Sequence, residues 1–169
     1  MALTCKLSQN ITRSNSCGYS LPEIVDIYLA NFEEVSGIET TADTAGCESI
    51  NSIPTGITWY HIEPAKNSAS FADELVVNDN GTRYRTHTLT FNTVGSYTAC
   101  MHQALDDLSL GKYVAIVKTA EGTFLMLGRL TGLEATTAAL NGGSDNNGMQ
   151  IVLAANTTES AIPVNNFNG

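Results

Sequence analysis

The sequence predicts a mainly β domain: a small β-barrel or sandwich with one flanking α-helix. Three observations lead there. Charged residues make up only 15% of the 169-residue chain, against about 25% in an ordinary domain. Polarity comes instead from 20 threonines, 15 asparagines and 14 glycines, which suit half-buried strands and the turns between them. A stretch of strict alternation at 82–93 and an apolar hairpin at 112–130 then supply the period of two that a pleated strand requires.

Each element follows from its local pattern. Residues 1–20 are polar and aperiodic and read as an N-terminal arm or an edge strand. Pro22 precedes Ile24-Val25-Asp26-Ile27-Tyr28-Leu29-Ala30, a β-branched and aromatic run that reads as a strand. Residues 33–56 read as a long loop holding Glu33, Glu34, Glu39 and Asp43. A structureless connection of that length in a small domain is usually functional. Its apolar residues Val35, Ile38, Ile50 and Ile53 look too sparse to anchor it, so a neighbouring subunit is expected to order it. Ile57 to Ile62 reads as a strand bounded by Gly56 and Pro64, and Phe71 to Val77 as another, stopped by the turn Asn78-Asp79-Asn80-Gly81. Thr82 to Thr93 places Arg83, Arg85, His87, Leu89 and Phe91 on one face and Tyr84, Thr86, Thr88 and Thr90 on the other.

One helix is expected, from the stripe Met101, Ala104, Leu105 and Leu108, with Ser96 as N-cap and Gly111 as its stop. Asp106 and Asp107 lie in its last turn, against the macrodipole. Lys112 to Thr119 and Thr123 to Leu130 form a hairpin around Ala120-Glu121-Gly122. Tyr113, Ala115 and Val117 point one way and Val114 and Ile116 the other, so both faces demand cover. The helix or a second subunit is expected to supply it. Residues 131–148 read as a connection, Met149 to Leu153 as the last long strand, Ala161 to Val164 as a brief pairing segment and 165–169 as a loose tail. One domain accounts for residues 1–169.

The net charge is −9. Eight basic residues spread along the chain make no groove for nucleic acid. No run reaches the 18 apolar residues of a membrane helix, and the opening residues Met1 to Leu7 carry no apolar signal region. Cys5, Cys17, Cys47 and Cys100 match no zinc spacing, and reduced, mostly buried thiols are expected. The triplets at Asn10, Asn80 and Asn156 fit a glycosylation sequon, as chance provides in an Asn- and Thr-rich chain.

Catalytic signals are thin. His61 shares a strand face with Glu63, and His102 stands one turn from Asp106, but no nucleophile motif accompanies either pair. Cys100 and His102 diverge by about 200° on a helix, which disfavours a shared metal. The Asn78 to Gly81 and Asp145 to Gly148 runs lack the acidic residue that completes a calcium loop. Trp59 and Tyr60 read either as core or as a platform for a sugar or base. No catalytic residue, cofactor or metal is expected.

The order of features carries a resemblance. Thr86 to Phe91 (Thr-His-Thr-Leu-Thr-Phe), the single helix, the hairpin Val114 to Phe124, the segment Gly128-Arg129-Leu130-Thr131-Gly132-Leu133-Glu134, a Gly/Asp/Asn loop and Gly148-Met149-Gln150-Ile151-Val152-Leu153 follow one another over residues 57–165. In plan this resembles virion structural proteins of tailed bacteriophages, particularly those infecting gut Bacteroidetes. It is similar to the tail-tube family, whose fold also underlies type VI secretion tubes. The resemblance implies a homo-oligomeric ring of six or twelve subunits in a tail or neck. Other phage structural proteins would be its neighbours, and DNA would pass without specific binding. It implies a virion protein assembled in the bacterial host cytoplasm and not associated with a membrane. Val35, Ile38, Ile50, Ile53, Val114, Ile116 and Val117 are then the expected subunit contacts. A head-decoration protein and a carbohydrate-binding β-sandwich using Trp59 and Tyr60 are the alternatives.

Overall fold

The computed structural model describes residues 10–11, 23–35, 37–94, 98–143 and 147–168. The expected arm at 1–20 (apart from residues 10–11), Cys5, Cys17, the Ser96 cap and residues 144–146 lie outside the described residues. In chain order the strands are β1 (Ile24–Asn31), β2 (Thr41–Ala42), β3 (Glu48–Ser49), β4 (Tyr60–Ile62), β5 (Ser70–Val77), β6 (Arg83–Asn92), β7 (Lys112–Thr119), β8 (Phe124–Leu127), β9 (Leu133–Asn141), β10 (Gly148–Thr157) and β11 (Ile162–Val164), with helix α1 (Ala99–Leu110) between β6 and β7.

Nine strands join one antiparallel sheet, folded over on itself so that its two halves face each other. The first half runs β4-β1-β7-β8-β11 and the second β9-β10-β6-β5. Strand β7 is the seam. It pairs with β1 along most of its length (Ile27 opposite Val117, Leu29 opposite Ala115) and with β8 on its other edge (Val117 opposite Leu125). After Leu127 the chain leaves β7 through a turn, then returns to it with Leu133 opposite Tyr113. From there β9 carries on into the second half. That turn depends on Gly128, whose φ is +73° and where a Cβ would come within 2.7 Å of Leu133 Cγ. The sheet does not close: among the described residues β4, β5 and β11 each pair with one strand only, so the molecule is a sandwich and not a barrel.

Alternation along β6 and β10 fills the space between the halves. Leu89 and Phe91 from β6, Ile151 and Leu153 from β10, Ile27 and Leu29 from β1, and Ala115, Val117 and Leu127 from β7 and β8 form this core. Helix α1 covers one end of it with the stripe Met101, Leu105 and Leu108. Its N-cap is Thr98, whose Oγ1 accepts from the Met101 N–H at 3.2 Å. The hairpin turn between β7 and β8 has Gly122 at φ +87° and the Thr119 N–H donating to the Thr123 carbonyl at 2.9 Å, as the three-residue loop predicts.

The opposite face of β7 is where sequence and structure part. Val114 and Ile116 are fully buried, but the cover comes from the same chain. Ile38, Ile50 and Phe167 pack on them with Met126, Ile162 and Val164, and Val35, Ile53, Ile57 and Trp59 close the rim. The 33–56 segment is therefore no structureless loop. It opens with a 3₁₀ turn at Phe32–Glu34 and forms the small β2–β3 hairpin. Its turn is fastened by Asp43 Oδ1, which accepts the N–H groups of Ala45 and Cys47 at 2.8 Å each. It then lays Ile50 beside Val164, where the Ile50 N–H donates to the Pro163 carbonyl and the Asn165 N–H to the Ile50 carbonyl. Four apolar anchors suffice because they meet an apolar sheet face, not because they are dense. The tail is likewise seated: the Phe167 ring lies edge-on against Tyr28, Trp59 and Phe124 at 4.9–5.5 Å.

Two further differences concern strands. Only Tyr60–Ile62 of the expected 57–62 strand pairs, because Ile57 and Trp59 turn into the second core. Residues 133–141, read as a connection, form β9. Its alternation is broken by a bulge: Leu153 opposes Ala135 while Val152 opposes Thr137, leaving Thr136 as the extra residue. Leu133, Ala135 and Ala138 thus share the core side at spacings of two and then three.

Candidate functional site

The two ends of the sandwich differ in chemistry. At the end where β6 begins, charged groups close the gap between the halves. Asp73 on β5 accepts from Arg85 Nε at 2.6 Å through Oδ1 and from the Ala161 N–H at 2.9 Å through Oδ2. Arg129 holds Glu159 through Nη2 at 2.6 Å and Nε at 3.0 Å, and donates Nη1 to the Ile38 carbonyl at 2.8 Å. His87, only 2% exposed, sits between them. Its Nδ1 accepts the Gly128 N–H at 3.1 Å, so in the neutral ring the proton is on Nε2, which faces Asp73 Oδ1 at 3.5 Å.

Burial is the largest influence on both titrating groups. It pushes the His87 pKa below its ordinary 6.5, against the opposing pull of the Asp73 and Glu159 carboxylates. Burial alone would raise Asp73, but the Arg85 hydrogen bond, the Ala161 N–H and the charges of His87 and Arg85 outweigh it and hold the carboxyl below 3.8. An Asp–His pair invites a catalytic reading. Here one imidazole nitrogen is committed to Gly128, the other is aimed at Asp73, and the ring has no open face. The chemistry of this end is that of a tie between β5, β6, the turn after β8 and the segment before β11.

The other end carries an open cleft of about 700 Å³. Helix α1 forms one wall with Ala104, Asp107 and Leu108. Tyr60 and Ile62 of β4 form the opposite wall, and Phe91 and Met149 the floor. The lining is mostly apolar, with a few polar groups at the rim, including Asn31, Thr93 and Asp107. The rim is shaped by Tyr113, whose hydroxyl donates to the Asp107 carbonyl and so caps the helix end. Burial first, and then the Asp107 charge, push its phenol pKa above 10, which keeps that donor protonated. Gly111 is present for space and not for φ: a Cβ there would overlap the Tyr113 ring, 2.6 Å from Cζ. Asp107 Oδ1 accepts from Gln103 Nε2 at 3.1 Å, and among the described residues no cation pairs with it.

The residues expected at a subunit contact are mostly inside the chain. Ile38, Ile50, Val114, Ile116 and Val117 are buried, with Val117 in the core between the halves and the other four in the second core. Val35 and Ile53 are half-buried around that second core. None of the seven lines the cleft. His61 pairs with Asp26 at 2.7 Å and stacks on Tyr28, so its partner is across the sheet and not Glu63. His102 and Asp106 stand 3.6 Å apart on the exposed helix face. Trp59 faces the second core while Tyr60 faces the cleft, so the two rings form no common platform. Cys47 is half-buried and Cys100 exposed, where buried thiols were expected. Asn80 Oδ1 takes the Thr82 N–H as a turn residue. Among the described residues no group of three or more His, Cys, Asp or Glu is placed to hold a metal ion, and no helix is long and apolar enough to cross a membrane.

Sequence reasoning passed over Asp73, Arg129 and Glu159. Arg85 and His87 carried a signal, since they share the face of Leu89 and Phe91 and mark where the apolar face of β6 gives way to charge. The 78–81 turn then fixes Asp73 opposite His87. No protein-family model, curated protein or solved structure matches the chain.

Proposed function

We propose that the chain is a structural, non-catalytic subunit of a phage tail or neck, associating with copies of itself into a ring that forms part of a DNA-conducting channel. The observation that carries this reading is the outer margin of β5. The margin at β11 is occupied by Ile50 and interrupted by Pro163, and β4 is only three residues long. These are the usual ways of blunting an edge. Strand β5 is eight residues long, contains no proline, and pairs among the described residues only with β6. Leu75 and Val77 stand 58% and 56% exposed on it, on the face that Phe71 buries further down. A ring covers such an edge in every copy at once. The net charge of −9 suits a surface that DNA passes without adhering.

The test is the mass of the purified protein by light scattering over a wide concentration range, with electron microscopy of the largest species. Rings are expected. A monomer at every concentration overturns the reading, and binding to a preformed head without self-association favours head decoration instead.

A further inference from the structure

We propose that the tip of the β5–β6 hairpin of one copy docks into the cleft beneath α1 of the next. This rests on the self-association proposed above and names the contact that brings a neighbouring copy onto the end of the β5 margin. Strand β10 accompanies β6 only as far as Thr157, opposite Arg85, so the hairpin beyond that point projects past the sandwich. Its inward face carries Val77 directly opposite Arg83, and Leu75 on the same face stands opposite Arg85, at the last level that β10 reaches. Further along the same face, Leu89 and Phe91 are completely buried. The alternation that builds the core therefore continues past the core, and leaves two large apolar side chains in solvent with a cation beside them.

The cleft offers the complement. Its lining is mostly apolar and it is large enough for a leucine and a valine side chain. Asp107 stands at its rim, with Asp106 beside it, at the negative end of the helix. Two carboxylates in a last turn repel the carbonyls there, and a guanidinium brought in by a partner relieves that repulsion. Lys112, the cation next in sequence, is taken by Glu134 at 3.1 Å.

Placement makes the partner a second copy. Arg83 begins β6, and Phe91, eight residues on, floors the cleft, so tip and cleft lie roughly 27 Å apart along one strand. They cannot meet within one chain, and they do not overlap. Each copy can give its tip and receive another at the same time. That is a head-to-tail contact, which either closes into a ring or extends into a stack.

Two variants separate the halves of the contact. Val77→Asp spoils the tip, and Ala104→Trp fills the cleft; neither position is buried. By sedimentation velocity, each variant alone is expected to run as the 18.0 kDa monomer under conditions where the parent assembles. Mixed in equal amounts, the intact tip of Ala104→Trp meets the intact cleft of Val77→Asp. The mixture is expected to give a dimer of twice that mass and nothing larger. A misfolded variant cannot complement, so the dimer also reports that both are folded. If either variant assembles as the parent does, or if the mixture stays monomeric, the docking proposal fails while self-association stands. A parent that never assembles overturns both.

Discussion

Protonation of His87 is opposed by its burial, and this sets the direction of the acid response. Below pH 6.5 the unfolded chain takes up a proton that the folded imidazole still refuses. The unfolded state then binds more protons, so stability is fully present above pH 6.5 and falls as the pH drops from there towards the folded pKa. Asp73 adds a second loss: its carboxyl is held below 3.8, so its contribution is present above that value and disappears as the pH falls through the folded one. Urea unfolding at about pH 7.5 and about pH 5.5 should show a clear drop for the parent and a shallower one for His87→Gln. Equal drops would place the response elsewhere. Gly111 gives a prediction without titration. Gly111→Ala drives a methyl group into Tyr113 and displaces the hydroxyl from the Asp107 carbonyl. A loss of about 1–3 kcal/mol is expected from the overpacking, read as a lower urea midpoint with an unchanged slope.

The 32–59 segment behaves as a third layer, covering the outer face of β7. Ile50 is fully buried at its centre, so Ile50→Ala should cost roughly 2–5 kcal/mol. Replacing residues 36–52 by a Gly/Ser linker would uncover Val114 and Ile116 as well. That replacement should abolish cooperative unfolding in the isolated chain, where a loop ordered only by assembly would have let it fold normally. Calorimetry of the purified protein distinguishes the two. The same element shows what the sequence could and could not convey. The alternation of β6, the turn of the β7–β8 hairpin and the stripe of α1 are local patterns, and each produced the element expected of it. The two-sided apolarity of β7 was equally plain, but its cover comes from Ile38 and Ile50, more than sixty residues earlier in the chain, and from Phe167. No local period joins such distant residues. Strand β9 was hidden by the bulge at Thr136, which breaks the alternation by which it would have been found. The charged end was half legible, through Arg85 and His87. The cleft was not, because its walls come from six elements that only the fold brings together.

At the scale of the whole molecule, two forces act on a pair of copies, and they respond differently to salt. Each chain carries a net charge of −9, so two copies repel at long range. That repulsion is screened over about 8 Å at physiological ionic strength and over about 30 Å at 0.01 M. The contact proposed here is different in kind. Leu75 and Val77 leave water, and Arg83 approaches Asp107 within a screening length, where salt weakens the attraction less than it weakens the long-range repulsion. Salt should therefore remove more repulsion than attraction. Association measured by sedimentation is expected to strengthen between about 0.01 M and about 0.15 M sodium chloride, then to change little, because burial of apolar surface does not depend on screening. Val77→Asp should lose the association at both ionic strengths, since it removes the apolar part. Association that weakens steadily with salt would mean that opposite charges, and not the two exposed apolar side chains, hold the copies together. The hairpin tip would then have to act through Arg83 alone.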